Sequence, residues 1–551
     1  MATRVYFSDT AASPVTPPSA GAEWEHNKGL VRKLLLAPDS SALFTDAYTP
    51  DAADHGADED ALHRRFVSDY LAAQTLSGNV SGQFQCLEDH ANNNQFLTLK
   101  ISVISNDGAT TRATLLSIAR AASELDTVLT NRSFSSTALS SYTCVAGDRL
   151  LVEVGIGGSP GGGPGTQGHN GSIRWGCSAT SGDLPVDETT TVTTYRPWVE
   201  FSSTFSFAPL TVTKTVKPSG GDYSSLSAWE AGEQGDLVTA DEIRQAECYA
   251  MSDTTAVTID GSTTDATRYL RIYTPASERH DGKWNASKYR MEVTDSSGIQ
   301  LMDEFIYLDG LQVKITISAS AVHHKWAISF HHNYSTTSAA KQYCSNTISV
   351  IDTSAGSDNL GFGGFVVHDA VSDGGKTYVW NCVAYGARER GGYGDLWGWG
   401  FTCQTNGYLY TYNCTAYDCD TGFYVSGTPK EFISKNCLAQ GCDDGFGGTF
   451  STGTTYNCSD ISSDAPGTNP VTGTVTFVDA TNRDLHLASS DTVAKDAGTD
   501  LSADSVLSFS DDIDSQARSG TWDIGADEYV AAGGAGFPCP ARHPMGPLLV
   551  R

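Results

Sequence analysis

The chain contains no uninterrupted apolar run of 18 or more residues, so no membrane-spanning helix is expected. Its opening stretch, MATRVYFSDTAASPVTPPSAG, lacks the apolar core of a secretory signal, and the expectation is synthesis in a cytoplasm without a signal peptide. Basic residues are scarce: 35 Lys and Arg stand against 64 Asp and Glu, a formal net charge of -29. A surface this acidic repels phosphate backbones, which argues against nucleic-acid binding. Charged residues of both signs make up only 18% of the chain, and long Leu/Ala/Glu/Lys stretches are few, so a mainly helical protein is disfavoured. The 13 cysteines include no Cys-x-x-Cys pair and no His/Cys quartet at zinc spacing. Most are expected as buried thiols acting as small apolar side chains, and no metal site is assigned. The glycine-rich loop 155–171 lacks Gly-Lys-Ser/Thr, which excludes a P-loop.

What remains reads as β structure rich in turns. In LTLKISVIS (97–105), Leu97, Leu99, Ile101 and Val103 alternate with Thr98, Lys100 and Ser102, the pattern of a strand with one buried face. AGDRLLVEVG (146–155) and PWVEFSSTFSF (197–207) are further strands, and ATLLSIARAASEL (113–125) is read as a short helix. Residues 1–208 are thus expected as an antiparallel sandwich of jelly-roll type. After the connector 208–221, DYSSLSAWEAG reads as a short amphipathic helix entered through an Asp or Ser cap, suited to covering the open end of a solenoid.

The repeats carry the argument further. Asn-Cys occurs at Asn381-Cys382, Asn413-Cys414, Asn436-Cys437 and Asn457-Cys458, in steps of 32, 23 and 21 residues, and Gly-Phe precedes each of the last three. A period near 20–25 residues with β-rich content predicts a parallel β-helix over about 209–530. Coils stack about 4.8 Å apart, so these Asn are expected to form a side-chain amide ladder and these Cys a buried column.

The 32-residue step holds about nine or ten extra residues within GARERGGYGDLWGWG (386–400). Such an insert is expected to leave the stack as a loop. Glu389 and Asp395 are its candidate catalytic carboxylates, since glycoside hydrolysis needs a pair of carboxyls across the bond. Tyr393, Trp397 and Trp399 offer aromatic faces that stack on sugar rings, with Arg388 beside them as a further carbohydrate contact. The same residue types equally suit a packed loop or a subunit contact, and that plainer reading is preferred over catalysis. The Cys-Asp pairs Cys419-Asp420 and Cys442-Asp443 are read as turn residues rather than a calcium stripe. Calcium is the one cofactor considered, and none is assigned. In AVHHKWAISFHHNY (321–334), His323 and His331 share no third ligand, so no metal site is assigned there either.

One segment resembles a known module. Asp484, His486, Leu487, Asp496, Ala497, Gly498, Asp512, Asp514, Arg518, Asp523, Ile524, Gly525, Ala526 and Glu528 match the C-terminal closing module of bacterial and phage right-handed β-helix proteins, with Ser515 where Gly is usual. The resemblance covers about 50 residues from about 477 onward, implies the fold and brings no catalytic residue. The stretches ATRVYFSDTAASPVTP, AGDRLLVEVG and PWVEFSSTFSF are similar to a domain placed before β-helices or fibre modules in phage proteins. Together these imply a virion surface protein of tailspike, fibre or head-decoration type. Its N-terminal domain would dock on other virion proteins, its β-helix would meet host surface polysaccharide, and the oligomer would be a homotrimer, as in tailspikes. The alternative is a tailspike-like glycosidase or lyase. Residues 531–551 read as a Gly/Pro-rich tail.

Overall fold

A computed structural model describes residues 2–49, 58–159, 170–318, 324–332, 340–353, 361–368, 375–389 and 398–530. The chain divides into two compact units, Met1–Leu210 with Thr239–Asp241, and Thr211–Val238 with Glu242–Arg551. Each is described by itself.

The first unit is built from an 11-stranded sheet whose pairings are antiparallel, apart from a parallel pair formed by His26–Leu35 and Glu59–Tyr70. Leu97, Leu99, Ile101 and Val103 are buried as their alternation requires, but Thr98 and Ser102 are buried as well, so both faces of this strand are covered. Phe7, Phe66, Phe84 and Trp175 meet at ring separations of 4.8–6.1 Å and form the aromatic centre of the unit. The helix expected at 113–125 is instead the strand Thr111–Glu124. Its pairing with Asn94–Ile104 shifts register at several points, and such bulges let Leu115 and Leu116, adjacent in sequence, both be buried. Strict alternation is lost, and the residual pattern imitates a helix.

The second unit opens with the helix Leu226–Glu233, whose N-cap Ser225 accepts the Ala228 N–H. Leu226 and Trp229 plug the end of the solenoid core. Strands then recur in threes, and the described residues form three parallel sheets of eight, nine and seven strands. This is a parallel β-helix. Its interior is one continuous apolar cluster running from Val216 to Phe446.

Identical residues do fall above one another. Phe365, Phe401, Phe423 and Phe446 stack at 4.7–4.8 Å with ring planes 3–7° apart. The preceding glycines form their own column. A Cβ on Gly422 would lie 2.6 Å from the Gly445 carbonyl oxygen and 3.0 Å from the Ala439 Cβ, so only glycine lets the sheets approach this closely. Outside the core, Tyr307, Tyr343, Tyr378 and Tyr410 stack at 4.4–5.0 Å beneath Leu501, Leu507 and Trp522.

The asparagine column differs from expectation at both ends. Asn381, Asn413 and Asn436 occupy a left-handed corner with φ of 51, 48 and 52°. Asn346, φ 49°, holds the same position one coil earlier, since Ser345 pairs with Trp380 and Ile348 with Val383. Thr347 follows it, so a search for Asn-Cys passes over it. At the other end, Leu438 pairs with Cys458, which sets Tyr456, φ 53°, in the asparagine position and Asn457 in the cysteine position. Asn457-Cys458 is therefore one residue out of register and does not belong to the ladder. A one-residue slip changes which face every side chain meets. Asn457 turns inward to accept the Cys437 N–H and donate to the Ser434 carbonyl, while Cys458 packs in a separate cluster with Val475 and Leu487. The twelve described cysteines are all buried free thiols.

The column also docks the closing segment. Asn381 donates to the Asp511 carbonyl at 2.8 Å, and Asn413 donates to those of Asp523 and Gly525 at 2.9 and 3.0 Å. Asn436 donates to Thr499 O and accepts from Thr499 N. Amide-to-amide bonds join Asn381 to Asn346 and Asn436 to Asn413. Arg518 is buried among the carbonyls of Asp511, Gly525 and Ala526 and pairs with Glu528. Ser515 has φ 73°, the conformation that explains why the resembling module carries Gly there.

Candidate functional site

The two described ends of the insert are held by a built mount. Trp399 pairs with Thr421, so Gly398 aligns with Asp420 and the extra residues lie between Ala387 and Gly398. The Asp420 carboxylate grips both ends of the insert, accepting the Glu389 N–H at 3.0 Å and the Gly398 N–H at 2.8 Å. Burial pushes its carboxyl up to about 6 against the pull of these N–H groups. A Cβ at position 398 would collide with the Ala387 carbonyl, so glycine is required where the chain returns.

Arg388 folds back over the neighbouring corners. Its guanidinium lies 2.9 Å from Asp418 and 2.9 Å from Asp443, and it donates to the carbonyls of Cys419 and Gly441. The Arg388 carbonyl in turn accepts from the Thr353 hydroxyl. Arg388 is thus a clamp across two coils rather than the carbohydrate contact expected of it. The acidic residues of the repeated Cys-Asp phrase are accounted for by the same arrangement: Asp443 takes Arg388, and Asp420 takes backbone donors.

Trp399 also departs from expectation. It is 4% exposed and stacks between Trp326 at 5.7 Å and Tyr424 at 5.1 Å. Gly363 pairs with both tryptophans from the strand between them, and its missing side chain leaves the gap in which the two rings meet. With both faces covered, Trp399 has none left for a sugar ring. Tyr393, Asp395 and Trp397 lie outside the described residues, so the Glu389–Asp395 separation is not defined. His323 also lies outside them. His331 stacks on His368 at 4.2 Å, and burial holds the two imidazoles down at about 4 and about 3.

Two carboxylate groups were not anticipated. In the closing segment, Asp512, Asp514 and Asp527 bring oxygens within 4.8 Å of one another. His486 lies beside them, 2.5 Å from Asp484 and 3.8 Å from Asp514. Burial opposes its charge, but Asp514, Asp527 and Asp484 outweigh that and hold the imidazolium up to about 9. The second group surrounds a cleft of about 420 Å³ at the corners 260–264 and 302–304. Asp303, 6% exposed, accepts the N–H groups of Gly261 and Ser262, and burial raises its carboxyl to about 6. Behind the cleft, burial raises Glu230 to about 7, and its Oε1 accepts the Asp260 N–H. No sequence motif marks this group, because its members come from corners some 40 residues apart.

No family model and no curated protein matches the chain. Among solved structures, a CocE/NonD family hydrolase from Staphylococcus aureus is similar at 12% identity and TM-score 0.13, covering 36% of this chain and 34% of that one. The Agl-KA catalytic domain is similar at 10% identity and TM-score 0.14, covering 86% and 92%. A GH87 alpha-1,3-glucanase catalytic domain in complex with nigerose is similar at 10% identity and TM-score 0.12, covering 78% and 92%. The chain spans about a third of the length of the first of these. At such TM-scores the likenesses carry no argument, and the parallel β-helix stands on the strand pairings of the chain itself.

Proposed function

We propose that this chain is a virion surface protein of spike, fibre or decoration type, whose β-helix presents the insert 388–397 to glycans of the host surface. The observation that carries this reading is the mount. Asp420 and Arg388 fix both ends of an insert containing Tyr393 and Trp397, and the carboxylates of Asp418, Asp420 and Asp443 beside it serve the scaffold. Fixed anchor points at both ends suit binding, since ordering the anchors in advance lowers the entropic cost of association. In this reading the N-terminal unit attaches to other virion proteins, the assembly is a homotrimer, and the chain is made in the host cytoplasm.

A second reading is a polysaccharide hydrolase or lyase. It is favoured by the carboxylates Glu389 and Asp395 that the insert carries beside its aromatic residues. Incubating the protein with immobilised bacterial surface polysaccharides separates the two. The adhesive reading expects retention that falls at least tenfold in Tyr393→Ala/Trp397→Ala, with no oligosaccharide released. Release abolished by Glu389→Gln or Asp395→Asn would replace it with the hydrolytic reading at the insert.

A further inference from the structure

The cleft at the first corners of the β-helix lies outside the insert and has no part in the reading above. It sits where Val257–Ile259 turns toward Leu270–Tyr273 and, one coil on, where Ile299–Leu301 turns toward Phe305–Asp309. Its volume of about 420 Å³ falls within the range of small-ligand sites. The walls are polar: Asp260, Ser262, Thr263, Asp303 and Glu304, with Met302 as the apolar element.

We propose that this cleft is a glycan subsite that takes a short neutral oligosaccharide. A carboxylate accepts hydrogen bonds from two vicinal hydroxyls of a pyranose, and such charge-assisted bonds are the stronger kind. Asp260 is exposed at the mouth, where it can accept in this way, beside the half-buried Glu304, while the Ser262 and Thr263 hydroxyls both donate and accept. Met302 offers a polarisable surface to the C–H face of a ring. Asp303 is committed to the Gly261 and Ser262 N–H groups and so fixes the shape of the wall. Glu230 supports the same corner through the Asp260 N–H. Three carboxyls around one cleft on a chain of net charge -29 repel an anionic sugar, so the site selects neutral over uronic-acid glycans.

The test is calorimetric titration of the full chain with laminarihexaose, maltohexaose and mannohexaose, with hexagalacturonate as the acidic counterpart and calcium chloride alone as a further arm. The expected result is binding of at least one neutral hexasaccharide, weakened at least tenfold in Asp260→Asn/Glu304→Gln. Hexagalacturonate is expected to bind at least tenfold more weakly than that sugar. Thermal melts of this double variant and of Trp397→Ala show whether the fold survives, and if the double variant melts early, Ser262→Ala and Thr263→Val take its place. The proposal is overturned if no neutral probe binds, if hexagalacturonate binds as well, or if calcium alone gives the heat. It is also overturned if Trp397→Ala removes the binding and the cleft variant does not. That last result would leave the insert reading standing, and loss of binding in the cleft variant alone bears on the cleft and not on the insert, whose ligand is host surface polysaccharide.

Discussion

Asn436-Cys437 and Asn457-Cys458 are the same two residues one coil apart, and they do different things. Asn436 sits in a left-handed corner and bonds outward to Thr499 of the closing segment, while Cys437 lies in the solenoid core. Asn457 sits where a cysteine should be and bonds inward to Ser434 and Cys437. In a solenoid the backbone pairing decides what a residue does, and a repeated word outside the register is only a word. The corner demands a left-handed conformation, which Asn tolerates and which most side chains resist. That demand is met by Asn346, Asn381, Asn413 and Asn436, and at greater cost by Tyr456.

The comparison is open to attack at several points. The largest effect is expected from Asn413→Ala, which removes the amide donor from the buried carbonyls of Asp523 and Gly525, leaving them Arg518 alone, and puts Ala in the left-handed corner. A loss of about 3 kcal/mol in denaturant unfolding is expected, together with faster proteolysis within 499–526. Asn457→Ala also removes buried bonds and is expected to cost about 1–3 kcal/mol, but to leave the closing segment protected. If both variants release that segment equally, the distinction between the two copies fails.

Next in size is a pH effect on the same closing segment. The His486 pKa is raised in the folded state from 6.5 to about 9, so its stabilising contribution is full below pH 6.5 and disappears as pH rises through 9. On the order of 2–3 kcal/mol is involved. Unfolding measured from pH 6 to pH 10 is expected to show this decline in the native chain, and His486→Gln to flatten it. The smallest effect is expected at Tyr456, whose replacement by Asn relieves the left-handed strain and is expected to stabilise by up to about 1 kcal/mol. No gain, with φ unchanged, would mean that Tyr456 recovers the strain through its own packing.

Much of this was legible in the sequence. The period near 23 residues and the helix after Ser225 are local signals, and each corresponds to a physical element. The errors share a cause, which is that register is set by pairing and pairing is not local. Asn346 went unseen because Thr347 follows it, and Asn457 was included because Cys458 follows it. The strand 111–124 passed for a helix because bulges broke its alternation. Arg388 read as a free ligand contact because Asp418 and Asp443 lie 30 and 55 residues ahead of it. The cleft had no motif at all, since one wall is near 260 and the other near 303.

The central claim is that the asparagine column, and not every Asn-Cys, holds the closing segment. Hydrogen exchange of asparagine side-chain amides in the intact chain tests it most directly. The account predicts that the Asn413 amide exchanges with the same opening free energy as the Gly525 and Ala526 backbone N–H groups, while the Asn457 amide follows the Cys437 N–H. An Asn457 amide that opens together with Gly525 and Ala526, or an Asn413 amide that does not, would contradict it.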